Sequence, residues 1–365
     1  MKILHLCSYY FGSNMYTNLF NELRNINIVN KVLIPVKKTE KEKIKYSDSI
    51  YLRCYTNFDR LFFYLKENKI LKAILKKIEK ESFDYIHAHS LFSNGWIAMK
   101  LKEMYGYKYI VAVRNTDINI FFKYFFWLRS TGIKILEDSE KIIFISNTAK
   151  NEVFKKYIPK KFHEELIKKT EVISNGIDKF WLNNLYLDKK HNNQIKSLFF
   201  MGTLDKNKNI IYLIKETIKL YENGYKFNLI IAGKGKYQKL VEKYEKKYSF
   251  IKYVGYITDK EKLKQLYRET DYFVLPSKYE TFGLVYAEAL SQGCKIIYTE
   301  GQGFDGWFEE KEIGYKTNIK NLEEVLKKAL EDKTILSKNI ILGVKNKFNW
   351  EKIAFIYKNI YEGEK

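Results

Sequence analysis

Two carboxylates, Glu280 and Glu288, bracket a glycine in the run Leu275-Pro-Ser-Lys-Tyr-Glu-Thr-Phe-Gly-Leu-Val-Tyr-Ala-Glu-Ala-Leu-Ser-Gln-Gly293. The preceding Asp271-Tyr-Phe-Val-Leu275 reads as a buried strand and Pro276-Ser277 as a turn. The apolar spacing from Phe282 to Gly293 predicts a helix. Glu280 then lies in the loop and Glu288 about two turns into the helix. Free N–H groups near Phe282, Gly283 and Leu284 fall between them; Gly283 permits close backbone approach, and the helix dipole favours an anion there. The chemistry on offer is a phosphate seat flanked by two acceptors for sugar hydroxyls. The same spacing also suits an ordinary strand-loop-helix with two solvated glutamates.

The elements that must position such a site are legible on both sides of it. Ile3-Leu-His-Leu-Cys7 reads as a strand, followed by a turn containing Gly12 and a helix-period segment from Met15 to Leu23, the opening of a Rossmann-like unit. Gly12 is a turn glycine or a donor contact. Further strands are expected at Val32–Val36, Tyr85–Ala88, Tyr109–Val113 and Lys141–Ile145, alternating with helical segments, which predicts a doubly wound parallel sheet. Ligands of such sheets bind beyond the carboxyl ends of the strands. Two polar clusters fall there: His87-Ala-His-Ser90, which includes His89, and Arg114-Asn-Thr-Asp117, which includes Asn115. An Asp or Asn in the second could equally cap the next helix.

Two segments of the first half stand apart. Ile118 to Arg129 carries aromatics around most of a predicted helix, so it is either wholly buried or turns one face to a membrane or an apolar acceptor. Leu61 to Glu81 reads as a basic amphipathic helix with Lys66, Lys69, Lys72, Lys76, Lys77 and Lys80, suited to an anionic bilayer surface or to a solvated face over a core. The net charge of +22 calls for an anionic partner, and a lysine- and asparagine-rich composition contributes to it. The lysines are dispersed among helices with no nucleic-acid module, which argues against nucleic acid as that partner. With 365 residues, 46% hydrophobic and 30% charged, the chain suits two globular domains. No apolar run reaches the length of a bilayer span, so the expected location is cytoplasmic, peripheral on the inner face of the membrane. Three scattered cysteines indicate neither a disulfide framework nor a zinc site, and the five histidines are too scattered for a metal site apart from His87 and His89.

A second Rossmann-like half starts at Ser197-Leu-Phe-Phe-Met-Gly202, with strands expected at Asn228–Ala232, Ile251–Val254, Tyr272–Leu275 and Lys295–Tyr298 and a terminal helix over 348–361. With this half laid out, the chain resembles the retaining GT-B glycosyltransferases of family 4, particularly those of bacterial surface polysaccharides. The resemblance rests on Leu275-Pro-Ser277 with Glu280, Phe282-Gly-Leu284 and Glu288-Ala-Leu290, which match the E-x7-E region. Asn175-Gly-Ile-Asp178, Gly202 with Lys208, Ala232-Gly-Lys-Gly235, Gly255, and Gly301 with Gly303 support it in order and spacing over most of the chain.

The resemblance implies an α/β fold of two Rossmann-like domains facing across a cleft: residues 1–175 for the acceptor, 176–347 for the donor, and a C-terminal helix, 348–365, packing back on the first. It implies transfer of a sugar from a UDP- or GDP-linked donor to a glycan or lipid-linked hydroxyl, without cofactor or metal. Glu280 would accept from the sugar hydroxyls and Glu288 would hold the ribose. Lys208 would neutralise the diphosphate, and the amides of Phe282, Gly283 and Leu284 would meet sugar and phosphates. Gly202, Thr203 and Gly233 would line the donor, and the Gly255-Tyr256 turn would approach the base. Arg114 and Asp117, with His89 and Asn115, would face the acceptor. Two positions depart from the family pattern: Thr203 stands where an arginine is usual, and Arg114 where the HGxD histidine is usual. Arginine cannot serve as a general base, so Arg114 is expected to act electrostatically. Competing readings are a GT-B epimerase or phosphorylase, or a catalytically weak membrane-associated relative.

Overall fold

The computed structural model describes residues 1–8, 10, 15–40, 49–189, 195–318 and 320–363. They form two compact units, residues 1–175 with 350–365, and residues 176–349. Gly12 lies outside the described residues.

The first unit is built on a parallel sheet of β1 (Lys2–Leu6), β2 (Val29–Lys37), β3 (Ser49–Tyr55), β4 (Tyr85–Ala88), β5 (Tyr109–Val113), β6 (Lys141–Phe144) and β7 (Thr170–Val172), in the order β3-β2-β1-β4-β5-β6-β7. Strand alternation sorts its side chains into two cores. Leu4 and Leu6 face one layer with Ile86, Ala88, Val111 and Val113. Ile3 and Cys7 face the other, which the helices Met15–Asn25 and Trp350–Glu362 cover. Trp350, Ile353, Ala354, Tyr357, Ile360 and Tyr361 recur at helical spacing and are buried, which is why the chain's last helix belongs to this unit.

The second unit repeats the plan with β8 (Lys196–Met201), β9 (Phe227–Ala232), β10 (Ile251–Tyr253), β11 (Tyr272–Leu275), β12 (Lys295–Thr299) and β13 (Gly314–Thr317), again all parallel, in the order β10-β9-β8-β11-β12-β13. Both orders reverse direction beside their first strand, between β1 and β4 and between β8 and β11. At such a switch point the loops diverge and open a crevice for a ligand.

Two elements differ from expectation. The aromatic stretch is not one helix: a π-helical turn, Asp117–Phe122, is followed by a 3-10 turn, Phe126–Leu128, and an α-helix, Arg129–Asp138. Ile118, Phe122 and Leu128 all point inward. A six-residue step in an α-helix rotates the side chain by about 240°, so Phe122 and Leu128 share an inward face only if the helix is broken between them. The helix of the two-glutamate stretch begins at Leu284, not near Phe282, and ends at Ser291. Glu288 therefore sits about one turn into it.

The loops after β8, β9 and β10 are laced together by backbone. Gly202 N–H donates to the Ala232 carbonyl (3.2 Å), Gly233 N–H to that of Gly255 (2.8 Å), and Leu204 N–H to that of Lys234 (3.0 Å). A Cβ at Gly233 would lie 1.9 Å from the Gly202 carbonyl oxygen, at a φ of +142°. Gly255 is left-handed (φ +75°) but has open space around it. Gly233→Ala is therefore expected to cost on the order of 3 kcal/mol, and Gly255→Ala about 1 kcal/mol, in urea denaturation. Equal costs would show that steric approach at Gly233 is not what the lacing requires.

Candidate active site

At the second switch point, β8 delivers Gly202 and the loop to Lys208, while β11 delivers Pro276 to Gly283. The two loops are tied by Asn207, whose side chain accepts from Tyr279 N–H and donates to the Tyr279 carbonyl, both at 3.1 Å. Asn207 also accepts the Lys278 amide at its own carbonyl (2.8 Å). This register brings Lys208 Nζ to 2.6 Å from Glu280 Oε2, with both side chains mostly shielded. The Glu280 backbone is held from a third loop: its N–H donates to Gln302 Oε1 (2.8 Å) and its carbonyl accepts from Gly303 N–H (3.2 Å). A Cβ at Gly303 would lie 1.8 Å from the Thr281 carbonyl oxygen, so the third loop packs on the second backbone to backbone.

Gly283, left-handed at φ +78°, forms the N-cap of the helix Leu284–Ser291, which places the first-turn N–H groups beside Glu280. The Phe282 side chain is spent on packing against Phe304, Trp307 and Phe348, so only its backbone is available to a ligand. Thr203 and Lys206 are exposed on the β8 loop. Tyr256 is exposed beside Gly255, with Lys234 Nζ 4.1 Å from its ring centroid.

Glu288 occupies a different environment. Burial first, and then the neighbouring Asp178 carboxylate, lift its pKa from 4.5 to about 7, opposed by Lys260 and by the nearby Trp181 indole. Lys260 is itself engaged by Asp178 at 2.6 Å. Asp178 also accepts the Phe180 amide (2.9 Å) and so caps the helix Lys179–Asn183. Glu280 and Glu288 are thus brought to the same helix start, one ion-paired and one with its pKa raised by burial to about 7.

In the first unit the structure reassigns part of the expected set. His89, expected at the acceptor, is fully buried with His5 and His87. His5 Nδ1 lies 3.1 Å from His89 Nε2, His5 Nε2 lies 2.9 Å from Asn30 Oδ1, and His87 Nδ1 lies 2.7 Å from the Tyr361 hydroxyl. The His87 and His89 rings stack at 3.9 Å and 20°. One ion cannot lie in the planes of two nearly parallel rings, so the stack reads as core and not as a cation site. Burial holds all three imidazoles neutral, His5 down to about 3.

Asp117 is also buried; it accepts from the amides of Arg114 (2.8 Å), Leu91 (3.0 Å) and Phe92 (3.1 Å), stapling the loop after β5 to the loop after β4. Burial raises its pKa to about 6 against those three donors. The Arg114 guanidinium lies beside Tyr357 of the last helix, and its Nε has no hydrogen-bond partner among the described residues. Asn115 accepts from the Asn119 side chain. Sequence reasoning missed Asn207, Gln302 and Trp181. The signals available were the place of Asn207 next to Lys208 and of Gln302 between Gly301 and Gly303.

Residues 187–346 match the family model for glycosyl transferases group 1, and residues 38–179 match that for glycosyltransferase family 4. An uncharacterized glycosyltransferase of Methanocaldococcus jannaschii is 29% identical over 305 residues, 78% of this chain and 77% of that relative. The UDP-Gal:alpha-D-GlcNAc-diphosphoundecaprenol alpha-1,3-galactosyltransferase of Escherichia coli is 23% identical over 323 residues, 81% of this chain and 80% of that enzyme. A sucrose-phosphate synthase from Thermosynechococcus elongatus shares the fold with a TM-score of 0.75 at 19% identity, over 100% of this chain and 98% of that one.

The raised pKa of Glu288 carries a stability consequence. Folded protein holds this proton more tightly than the unfolded chain does, so the group's contribution is complete below about pH 4.5 and is lost as pH rises through about 7. Glu288→Gln is expected to be more stable than the native chain by about 1–3 kcal/mol near pH 8 and to match it near pH 4, read from urea midpoints. A constant difference across that range would mean that Glu288 ionises normally.

Proposed function

Because the chain belongs to the GT-B glycosyltransferases of family 4, we propose that it transfers a sugar, with retention, from a nucleoside diphosphate donor to a hydroxyl of a lipid-linked glycan during surface-polysaccharide synthesis. The observation that carries this reading is the Lys208–Glu280 pair at a helix N-terminus on the β8/β11 switch point. Departure of a nucleoside diphosphate builds negative charge, and a lysine with aligned amides is the arrangement that stabilises it. Lys208 and the amides of Gly283 and Leu284 take the diphosphate, the Glu280 carboxylate takes sugar hydroxyls, and Glu288 takes the ribose. Gly202, Thr203 and Gly233 line the donor, and the Gly255-Tyr256 turn meets the base. Uridine is the base favoured by the donor named for the Escherichia coli relative, and the diphosphoundecaprenol in that name supports a lipid-linked acceptor.

Arg114 and Asn115 at the end of β5 serve the acceptor, with Asp117 acting through the loop it staples. Arg114 works as a fixed charge, since arginine does not exchange its proton in this pH range. The counter-charge to the diphosphate comes from the chain's own cations. The enzyme works at the cytoplasmic face of a membrane, as a peripheral protein.

A labelled UDP-sugar panel with a lipid-diphosphate sugar acceptor tests the reading. Glu280→Gln is expected to fold with a somewhat lowered thermal transition, because Lys208 loses its counter-charge, and to lose about 10- to 100-fold in kcat/KM, the worth of a charged hydrogen bond made to the reacting sugar. Full activity in that variant would remove Glu280 from the site. Product formed without an acceptor would indicate an epimerase, and product requiring free phosphate a phosphorylase.

A further inference from the structure

The aromatic stretch and the basic amphipathic helix, distant in sequence, form one surface of the first unit. Phe63 packs on Phe121 with ring centroids 6.0 Å apart, and the Tyr64 hydroxyl lies 2.8 Å from Thr131 Oγ1. Phe121 continues to Phe125 (5.5 Å) and Phe125 to Trp127 (5.2 Å). Over this floor stand large apolar side chains that no described residue of the unit covers. Phe58, Leu61 and Phe62 are 64, 74 and 52% exposed on one side, and Tyr124, Phe126 and Trp127 are 59, 68 and 57% exposed on the other. Folding that leaves a cluster of this kind in water marks a contact surface, since isolated exposed apolar residues are common but contiguous aromatic ones are not.

The charges around the cluster identify the partner. Residues 57–78 and 115–128 contain three carboxylates, Asp59, Glu67 and Asp117, and all three are buried. Asp59 is taken by Lys69 Nζ at 2.6 Å and Glu67 by Lys66 Nζ at 2.8 Å, while Asp117 is held by backbone amides. The charges left exposed on these segments are Arg60, Lys72, Lys76, Lys77 and Lys123, all positive. Tryptophan, tyrosine and phenylalanine rimmed by lysine and arginine suit the headgroup layer of an anionic bilayer, where rings bury their apolar body and cations meet lipid phosphates. A second copy would bring like charge to the same face. Among the described residues no helix is long and apolar enough to cross a membrane, so contact here would be interfacial.

We propose that the first unit docks on an anionic bilayer surface through this aromatic face, Phe58–Leu65 together with Ile120–Trp127. The proposal rests on the membrane-surface part of the functional reading and assigns it a location. The chain from Arg114 and Asn115 runs directly into the docking face, so the residues proposed for the acceptor lie a few positions from the lipid contact.

Co-sedimentation of the full chain with vesicles of phosphatidylcholine, with and without phosphatidylglycerol, tests it. Binding is expected to be about tenfold stronger to the anionic vesicles and to weaken with salt. The Phe126→Ser/Trp127→Ser double variant should bind about tenfold less while keeping its melting temperature and its stabilisation by UDP. Brominated lipid should quench tryptophan emission in the native chain and lose most of that effect in Trp127→Phe. Equal, negligible binding to both vesicle types overturns the proposal, as does binding that the double variant leaves unchanged. A native dimer dissolved by the double variant also overturns it, by giving the face to a second copy. Vesicle binding without sugar transfer would leave docking intact and remove the transferase reading. Transfer to a soluble acceptor without vesicle binding would do the reverse.

Discussion

The 2.6 Å contact between Lys208 and Glu280 sets the geometry on which the rest of the second unit converges. Neither residue is on a helix or strand; each stands on a loop, and loops leaving adjacent strands tend to diverge. The pair therefore has to be made by ties between loops: Asn207 to Tyr279, Gln302 to Glu280, and the glycine at 303 that lets the third loop lie on the second. With both side chains mostly shielded from water, the attraction is stronger than that of an exposed pair, and removal of either partner would strand the other charge. On the proposed reading each member also has a second use, lysine for a diphosphate and glutamate for a sugar hydroxyl. Donor binding is then an exchange of partners within a site that is already charge-compensated, and little reorganisation is needed at the moment of reaction.

The first unit handles its polar groups in the opposite way. The carboxyl ends of β1, β4 and β5 carry His5, His87, His89, Arg114 and Asp117, an array that in sequence looks rich in reactive groups. Most of it is consumed by structure. Asp117 replaces three missing backbone partners, and the imidazoles stack and bond one another in the core. Tyr357 and Tyr361 engage Arg114 and His87 and so fix the chain's last helix to this sheet. Burying three neutral histidines is tolerable because each finds at least one partner there, although His87 Nε2 and His89 Nδ1 do not. On the proposed reading the group left to serve a ligand is Arg114, whose charge does not change in the physiological pH range.

Much of this was legible in the sequence, for identifiable reasons. Central strands such as Tyr85–Ala88, Tyr109–Val113 and Tyr272–Leu275 are buried on both faces and read as short continuous apolar runs. The edge strands Ser49–Tyr55 and Gly314–Thr317 have one neighbour each and carry Arg53 and Lys316, so their apolar signal was too weak to read. Glu280, Glu288, Lys208 and the glycines were singled out as candidates because their order is distinctive. Their partners were not, because Gln302, Asn207 and Trp181 act through contacts between segments far apart in the chain, which spacing does not encode. His89 was misread for the same reason: a histidine at the carboxyl end of a strand is equally placed to face a ligand or the core, and only the packing of the last helix decides.

The distribution of charge bears on how an anionic substrate would be recognised. The net charge of +22 suggests a protein that attracts anions everywhere, yet two of the carboxylates at the second switch point, Glu280 and Asp178, are matched locally. Glu280 has Lys208, and Asp178 has Lys260. The surplus cations stand instead on outward faces, with Lys72, Lys76 and Lys77 exposed along one helix. Fields from such charges are screened beyond about 10 Å at ordinary ionic strength, whereas a shielded pair is screened little. The surplus can concentrate anionic ligands or surfaces near the protein, and on the proposed reading discrimination comes instead from the exchange at Lys208 and from the uncharged backbone amides at Gly283 and Leu284. Salt would therefore act first on encounter and only weakly on the bound geometry, which separates the role of the net charge from that of the site.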